Sequence, residues 1–178
     1  MNKKVLILSG SPRKGGNSDL LCDQFALGAT EAGHQVEKIR VAEKQIGYCR
    51  ACYACRDTGT CIIRDDMDDM MERMIDADVL VLASPVYFYS IDAQLKALID
   101  RTVARWTEVQ NKEFYYIVTA ADEETASADT TLACFRGYAA CVEGAKEMGV
   151  ILGMGTYEKG DVKGTPAMEQ AYQMGKQV

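Results

Sequence analysis

Four cysteines lie within thirteen residues of this sequence, in the pattern Cys49-x2-Cys52-x2-Cys55-x5-Cys61. Thiols packed this closely suit a cuboidal 4Fe-4S cluster, because short arcs of backbone can bring each sulfur to one corner. Zinc sites more often separate two Cys-x2-Cys knuckles by a longer arm. In the two-cluster ferredoxin run, the fourth cysteine comes three residues on and serves another cluster. Zinc and an empty, thiol-only loop both stay open as readings. If the segment were helical, Cys49, Cys52 and Cys55 would share one apolar face. The other three cysteines, Cys22, Cys134 and Cys141, fall inside helical patterns and read as small buried hydrophobes.

A second stretch, Ser9-Gly-Ser-Pro-Arg-Lys-Gly-Gly-Asn-Ser18, follows the apolar run Val5-Leu-Ile-Leu8. The run predicts a short strand buried on both faces, and Asn17 or Ser18 is placed to cap a helix bearing Leu20, Leu21, Phe25 and Leu27. A strand, a small-residue loop and a helix N-terminus form an anion site, since unpaired N–H groups and the dipole both point at the loop. Hydroxyls of Ser9, Ser11 and Ser18, the Asn17 amide and the Arg13 cation suit a phosphate. This is neither of two better-known phosphate loops. Gly16-Asn17 stands where a P-loop needs Lys-Ser/Thr, and Ser11-Pro12 breaks the dinucleotide fingerprint. An ordinary βα turn with a capped helix is the competing reading.

These residues need a scaffold, and the pattern supplies one. His34 to Val41 largely alternates, predicting a second strand, with the lone histidine His34 at a surface turn. Residues 42–65 form a long connection carrying the four cysteines; loops beyond about 12–15 residues are usually functional or disordered. Asp65-Asp66 open a helix in which Met67, Met70, Met71 and Met74 fall at core spacing. Val79-Leu-Val-Leu-Ala83 predicts a third strand, running into Ser84-Pro-Val-Tyr-Phe-Tyr-Ser90, and Asp92 starts a helix to about Trp106. Phe114-Tyr-Tyr-Ile-Val118 is the fourth strand, Thr130 to Met148 a helix, Val150-Ile-Leu152 the start of a fifth strand, and a last helix begins at Pro166.

Strands alternating with helices predict a parallel sheet covered on both faces, with ligands at the carboxyl ends of its strands. Three loops meet there: 9–18, 84–91 and 119–127. Together they have the composition of a flavin site. Pro85, Val86, Tyr87, Phe88 and Tyr89 offer rigid surface to a planar ring, and Thr119, Ala120 and Ala121 allow close approach from the other side. The aromatics equally suit a core cap, and Asp122 suits a helix cap as well as a flavin partner.

Composition narrows the classes further. With 178 residues, 48% of them hydrophobic, the chain is expected to form a single domain over 1–178 with a sizeable core. Its net charge of −6 and lack of a basic run argue against nucleic acid. Only four apolar residues follow Lys3-Lys4, fewer than the roughly 7–15 of a secretory leader, so no signal peptide and no membrane span are expected. An odd count of seven cysteines then fits a reducing, cytoplasmic setting.

Ser9-Gly-Ser-Pro-Arg, Asn17-Ser18 and Ser84-Pro-Val-Tyr resemble the NADPH-dependent FMN reductase branch of the flavodoxin-like proteins, over nearly the whole chain. The cysteine spacing and Cys61-Ile-Ile-Arg-Asp-Asp-Met67 resemble its iron–sulfur flavoprotein subgroup, although Ala51 and Ala54 stand where many relatives carry glycine. The resemblance implies an α/β three-layer sandwich whose five-stranded parallel sheet runs in the order 2-1-3-4-5. It also implies FMN held by the first loop through its phosphate, with Pro85 to Tyr89 along the ring. NAD(P)H is the expected reductant, FMN the carrier, and a small molecule or a protein the acceptor, reached through the cluster if present. No side chain is assigned as catalytic acid or base. The family implies a homo-oligomer, dimer or tetramer. An electron carrier without turnover and a cysteine-loop redox or metal sensor are the alternatives.

Overall fold

A computed structural model of the chain describes residues 2–178. Five strands, β1 (Lys4–Ser9), β2 (Gln35–Arg40), β3 (Val79–Pro85), β4 (Glu113–Thr119) and β5 (Lys146–Gly153), pair in parallel in the order β2-β1-β3-β4-β5. The helices are α1 (Asn17–Glu31), α2 (Met67–Asp76), α3 (Ala93–Arg101), α4 (Asp129–Ala139) and α5 (Ala167–Lys176). This is the expected flavodoxin-like sandwich. Parallel strands need helical crossovers, so both faces of the sheet are covered and the central strands read as unbroken apolar runs.

Strand alternation divides the core in two. Leu6, Leu8, Leu80, Leu82, Phe114 and Tyr116 face α2, α3 and α4, where Met67, Met70, Met71 and Met74 fill the irregular space. Val5, Ile7, Val79, Val81 and Ile117 face α1 and α5. Those two helices cross at glycines: a Cβ on Gly28 would lie 2.1 Å from the Tyr172 carbonyl, and one on Gly175 2.1 Å from that of Phe25. Backbone cannot yield as a side chain can, so the helices approach only because both positions lack a Cβ. No helix among the described residues is long and apolar enough to cross a membrane.

Four sequence expectations need correction. Gly16, not Asn17 or Ser18, is the N-cap of α1, and Leu27 on that helix is exposed. Helix α3 ends at Arg101 and continues only as short 3-10 turns. Helix α4 ends at Ala139, because Gly144 turns the chain in the left-handed region and Asn111 and Lys112 draw it into pairing beside β4. Strand pairing from Lys146 thus overrides a helical pattern extending to Met148. Finally, Cys22 is buried, with its thiol pushed up to about 12 by desolvation, whereas Cys134 is half-buried and Cys141 exposed beyond the helix end.

The cysteine-bearing connection between the 3-10 turn at Val41–Glu43 and α2 is irregular, so its thiols share no helical face. Its two ends are pinched together: Gln45 N–H donates to Asp66 Oδ2 at 2.7 Å, and Gly47 N–H to Asp65 Oδ2 at 2.8 Å. Asp65 also pairs at 2.7 Å with the buried Arg101, the two side chains being 9% and 1% exposed. Burial opposes ionisation of Asp65, but the Arg101 bond and the Gly47 and Met67 N–H groups outweigh it and hold the carboxyl below its ordinary 3.8. The pair's contribution is therefore present above that value and lost as pH falls through the lower folded pKa. Asp65→Ala, which strands a buried guanidinium, is expected to cost about 3–5 kcal/mol in urea unfolding at neutral pH. The deficit should narrow on acidification; one that stays constant from neutral to strongly acid pH would contradict this account.

Candidate functional site

The carboxyl ends of β1, β3, β4 and β5 surround a cavity of about 160 Å³. Its floor is the first loop. Ser11, Arg13, Asn17 and Ser18 line it, while Gly16 N–H on the Arg13 carbonyl (2.8 Å) and left-handed Gly15 make the turn. Among the described residues no side chain caps the first turn of α1, so its amide donors remain available to an anion. Ser18 is buried and its Oγ has no partner among the described residues.

Beneath the loop, Asp19 accepts from Gly15 N–H (2.7 Å), Lys38 Nζ (3.0 Å) and Arg40 Nη1 (2.8 Å). Burial opposes its ionisation, but the Gly15 N–H and the two cations prevail and hold it below the ordinary carboxylate range. Lys38 and Arg40 reach it because β2 lies beside β1. Ser9 is fully buried and turns its hydroxyl to Asp19 at 3.3 Å, so it braces the loop and does not line the cavity.

The second wall is Pro85, Val86 and Tyr87. Val86 N–H bonds the Thr119 carbonyl at 2.7 Å, and Tyr87 and Ser90 exchange backbone bonds around a tight turn. Phe88 and Tyr89 form its tip with φ of 48° and 61°, a conformation that bulky residues rarely adopt. The turn points both rings outward; Phe88 is fully exposed, and neither ring lines the cavity. Asp92 caps α3 by accepting from Leu95 N–H (2.9 Å) and donates its own N–H to Ser84 Oγ (2.9 Å). Its carboxyl fills the space beside Gly10, where a Cβ would lie 2.1 Å from Oδ2.

Thr119, Ala120 and Ala121 make the opposite side, as expected, joined by Thr156 and Tyr157, which sequence reasoning missed. Thr156 N–H bonds the Ala120 carbonyl, and Gly155 N–H that of Asp122, so the loop after β5 is stitched to the loop after β4. Asp122 caps no helix; its Oδ1 accepts from Glu124 N–H. The Asn17 amide holds Glu158 O, Gly160 N–H and Val162 N–H, and Arg13 Nη1 donates to Tyr157 O at 3.0 Å. Around Thr156 and Tyr157 the sequence offers only glycines, Gly153, Gly155 and Gly160, which mark turns and not a cavity wall.

All four cysteines of the long loop, with Arg50 and Arg101, line one cavity of about 340 Å³. Cys49 and Cys52 are exposed, while Cys55 and Cys61 are half-buried. Ala51, with φ of 50°, takes up a left-handed conformation of the kind that favours glycine. Among the described residues, no three His, Cys, Asp or Glu side chains converge as a metal site. The donor type, the number of thiols and the shared cavity suit a four-thiolate cluster.

The chain is 42% identical over 100 residues to an iron–sulfur flavoprotein of Methanosarcina thermophila, an overlap of 56% of this chain and 52% of that one. It is 40% identical over 98 residues to one from Archaeoglobus fulgidus, covering 55% and 44% respectively. The chain thus spans about half the length of the curated relatives it matches. In fold it is similar to an NAD(P)H:quinone oxidoreductase from Methanothermobacter marburgensis, with a TM-score of 0.78 at 19% identity over 99% of this chain and 96% of that one. Residues 3–162 match the model of the NADPH-dependent FMN reductase family, and this chain belongs to that family.

Proposed function

We propose that this chain is an FMN-dependent NAD(P)H oxidoreductase that delivers electrons, through a 4Fe-4S cluster on Cys49, Cys52, Cys55 and Cys61, to a small-molecule or protein acceptor. The observation that carries the flavin reading is the unpartnered, buried Ser18 hydroxyl at the uncapped first turn of α1, below a wall of Pro85, Val86 and Tyr87. When bound, FMN accepts electrons in pairs and releases them singly, chemistry that belongs to the cofactor. The residues around it hold and orient it. Ser11, Ser18 and the α1 amides address a phosphate, Arg13 adds a cation, and Ala120 and Ala121 leave room for a flat ring. The names of the iron–sulfur flavoprotein relatives and the four thiols on one cavity support the cluster.

Cavity and cysteine loop lie at opposite ends of α3, a helix of nine residues and therefore about 14 Å long. The fully exposed Phe88 at the cavity mouth supports a homo-oligomer, dimer or tetramer, in which a second copy covers that turn. Sedimentation of the FMN-loaded protein as a monomer at micromolar concentration would remove that part of the reading.

Ser18→Ala is expected to weaken FMN binding about tenfold or more, the loss of one hydrogen bond to a charged group, in a flavin fluorescence titration. An unchanged Kd would place the phosphate elsewhere. Protein purified without oxygen is expected to carry FMN and about four irons per chain and to oxidise NAD(P)H steadily. Cys55→Ala is expected to lose iron and keep FMN. Flavin without turnover would indicate an electron carrier, and zinc without flavin a metal sensor.

A further inference from the structure

Arg101, at the end of α3, is 1% exposed, and it lines the cavity shared by the four cysteines. A guanidinium carries five N–H donors in one rigid plane. Four of them are used. Nη1 donates to Asp65 Oδ2 (2.7 Å) and to the Gly47 carbonyl (2.7 Å). Nη2 donates to Asp65 Oδ1 (3.0 Å) and to the Ile63 carbonyl (3.3 Å). The fifth donor, on Nε, is buried without a partner among the described residues. Leaving a buried donor unmade is costly, so nearly all such groups find an acceptor. Cys61 lines the same cavity and is two residues from Ile63, whose carbonyl Arg101 already holds.

We infer that Arg101 is a positioning residue for Cys61, with its Nε–H donating to the Cys61 thiolate when that sulfur ligates the cluster. This rests on the cluster reading above and adds a determinant to it. An N–H···S bond draws electron density from the sulfur and favours the more negatively charged, reduced cluster, one of the recognised controls on cluster potential. The Asp65 clamp fixes the plane of the guanidinium, so Nε has little freedom to turn elsewhere.

The test is a potentiometric titration of the iron-loaded protein, following the cluster by electron paramagnetic resonance. Arg101→Lys keeps the charge and removes Nε. The ratio of reduced to oxidised cluster at a fixed applied potential is expected to fall about tenfold, roughly 59 mV for a one-electron couple, with FMN content unchanged as the folding control. Asp66→Asn loosens the pinch of the loop at Gln45 but leaves Arg101 and its Asp65 clamp in place, so its potential should rise or stay. A fall in Asp66→Asn matching that in Arg101→Lys would assign the effect to a loosened loop and overturn the inference, as would an unmoved potential in Arg101→Lys. Should Arg101→Lys not fold, resonance Raman of the unaltered protein in H2O and D2O decides. A shift of the Fe–S(Cys) stretching bands on exchange supports N–H···S donation, and no shift overturns it. Iron-free wild-type protein would overturn the cluster reading and this inference together, whereas iron with an unmoved potential overturns this inference alone.

Discussion

A guanidinium buried at the end of a helix needs acceptors around its fork, and Arg101 shows what that demands. Asp65 meets it with both carboxylate oxygens, while Gly47 and Ile63 supply carbonyls. Those partners come from the two ends of the cysteine loop, which has little apolar mass of its own turned inward: Tyr48, Tyr53 and Ile62 are exposed. A polar clamp therefore does for this loop what a hydrophobic core does for the sheet. Separating such a pair leaves an uncompensated buried charge, so docking of the loop is close to all-or-none. The same helix matters at its other end, where Asp92 caps it against Ser84 and lies beside Gly10. One nine-residue element thus registers the flavin-type cavity against the cysteines.

The cavity itself follows from sheet topology. After β1 the chain crosses to β2 on one side, whereas β3 lies on the other side of β1, so the loops leaving β1 and β3 part and open a crevice at their carboxyl ends. Two networks keep that crevice in shape. Asp19, Lys38 and Arg40 brace the first loop from below, and Asn17 and Arg13 bind it to the loop after β5. The strict separation of apolar faces leaves these polar groups at the strand ends, where they have only one another, the backbone or a ligand to bond.

Backbone strain is concentrated at the same two places. Among the described residues, five non-glycines have positive φ: Ala51 and Tyr53 lie in the cysteine loop, Phe88 and Tyr89 on the turn after β3, and the fifth is Asn111, a residue type that tolerates the conformation. Strain of this kind persists only where surrounding contacts over-determine it. The reciprocal Tyr87–Ser90 bonds are such contacts on the turn, and in the cysteine loop Arg56 N–H holds the Tyr53 carbonyl at 3.0 Å.

Much of this was legible in the sequence because it depends on short-range periodicity. Apolar runs such as Val5 to Leu8 and Val79 to Ala83 mark buried parallel strands, the Met67 to Met74 stripe marks a core-facing helix, and Asp92 before Ala93 marks a cap. Ser11, Ser18, Pro85 to Tyr87 and Thr119 to Ala121 were legible as neighbours, since loops at the carboxyl ends of parallel strands must meet. What local pattern did not contain was partner choice over long separations. Nothing near Asn17 in the chain indicates that its amide will hold residues 158–162, or that Ser9 will turn away to Asp19. Nothing near Tyr157 indicates that it joins the wall, or near Arg101 that it will hold Asp65. The strand that ends α4 early acts in the same way, by pairing with a neighbour. Local sequence determined which segments are strand, helix or loop, through side-chain spacing and capping. The tertiary structure decided which polar groups remain free for a ligand, because a donor is free only after every neighbour brought near by folding has taken its share.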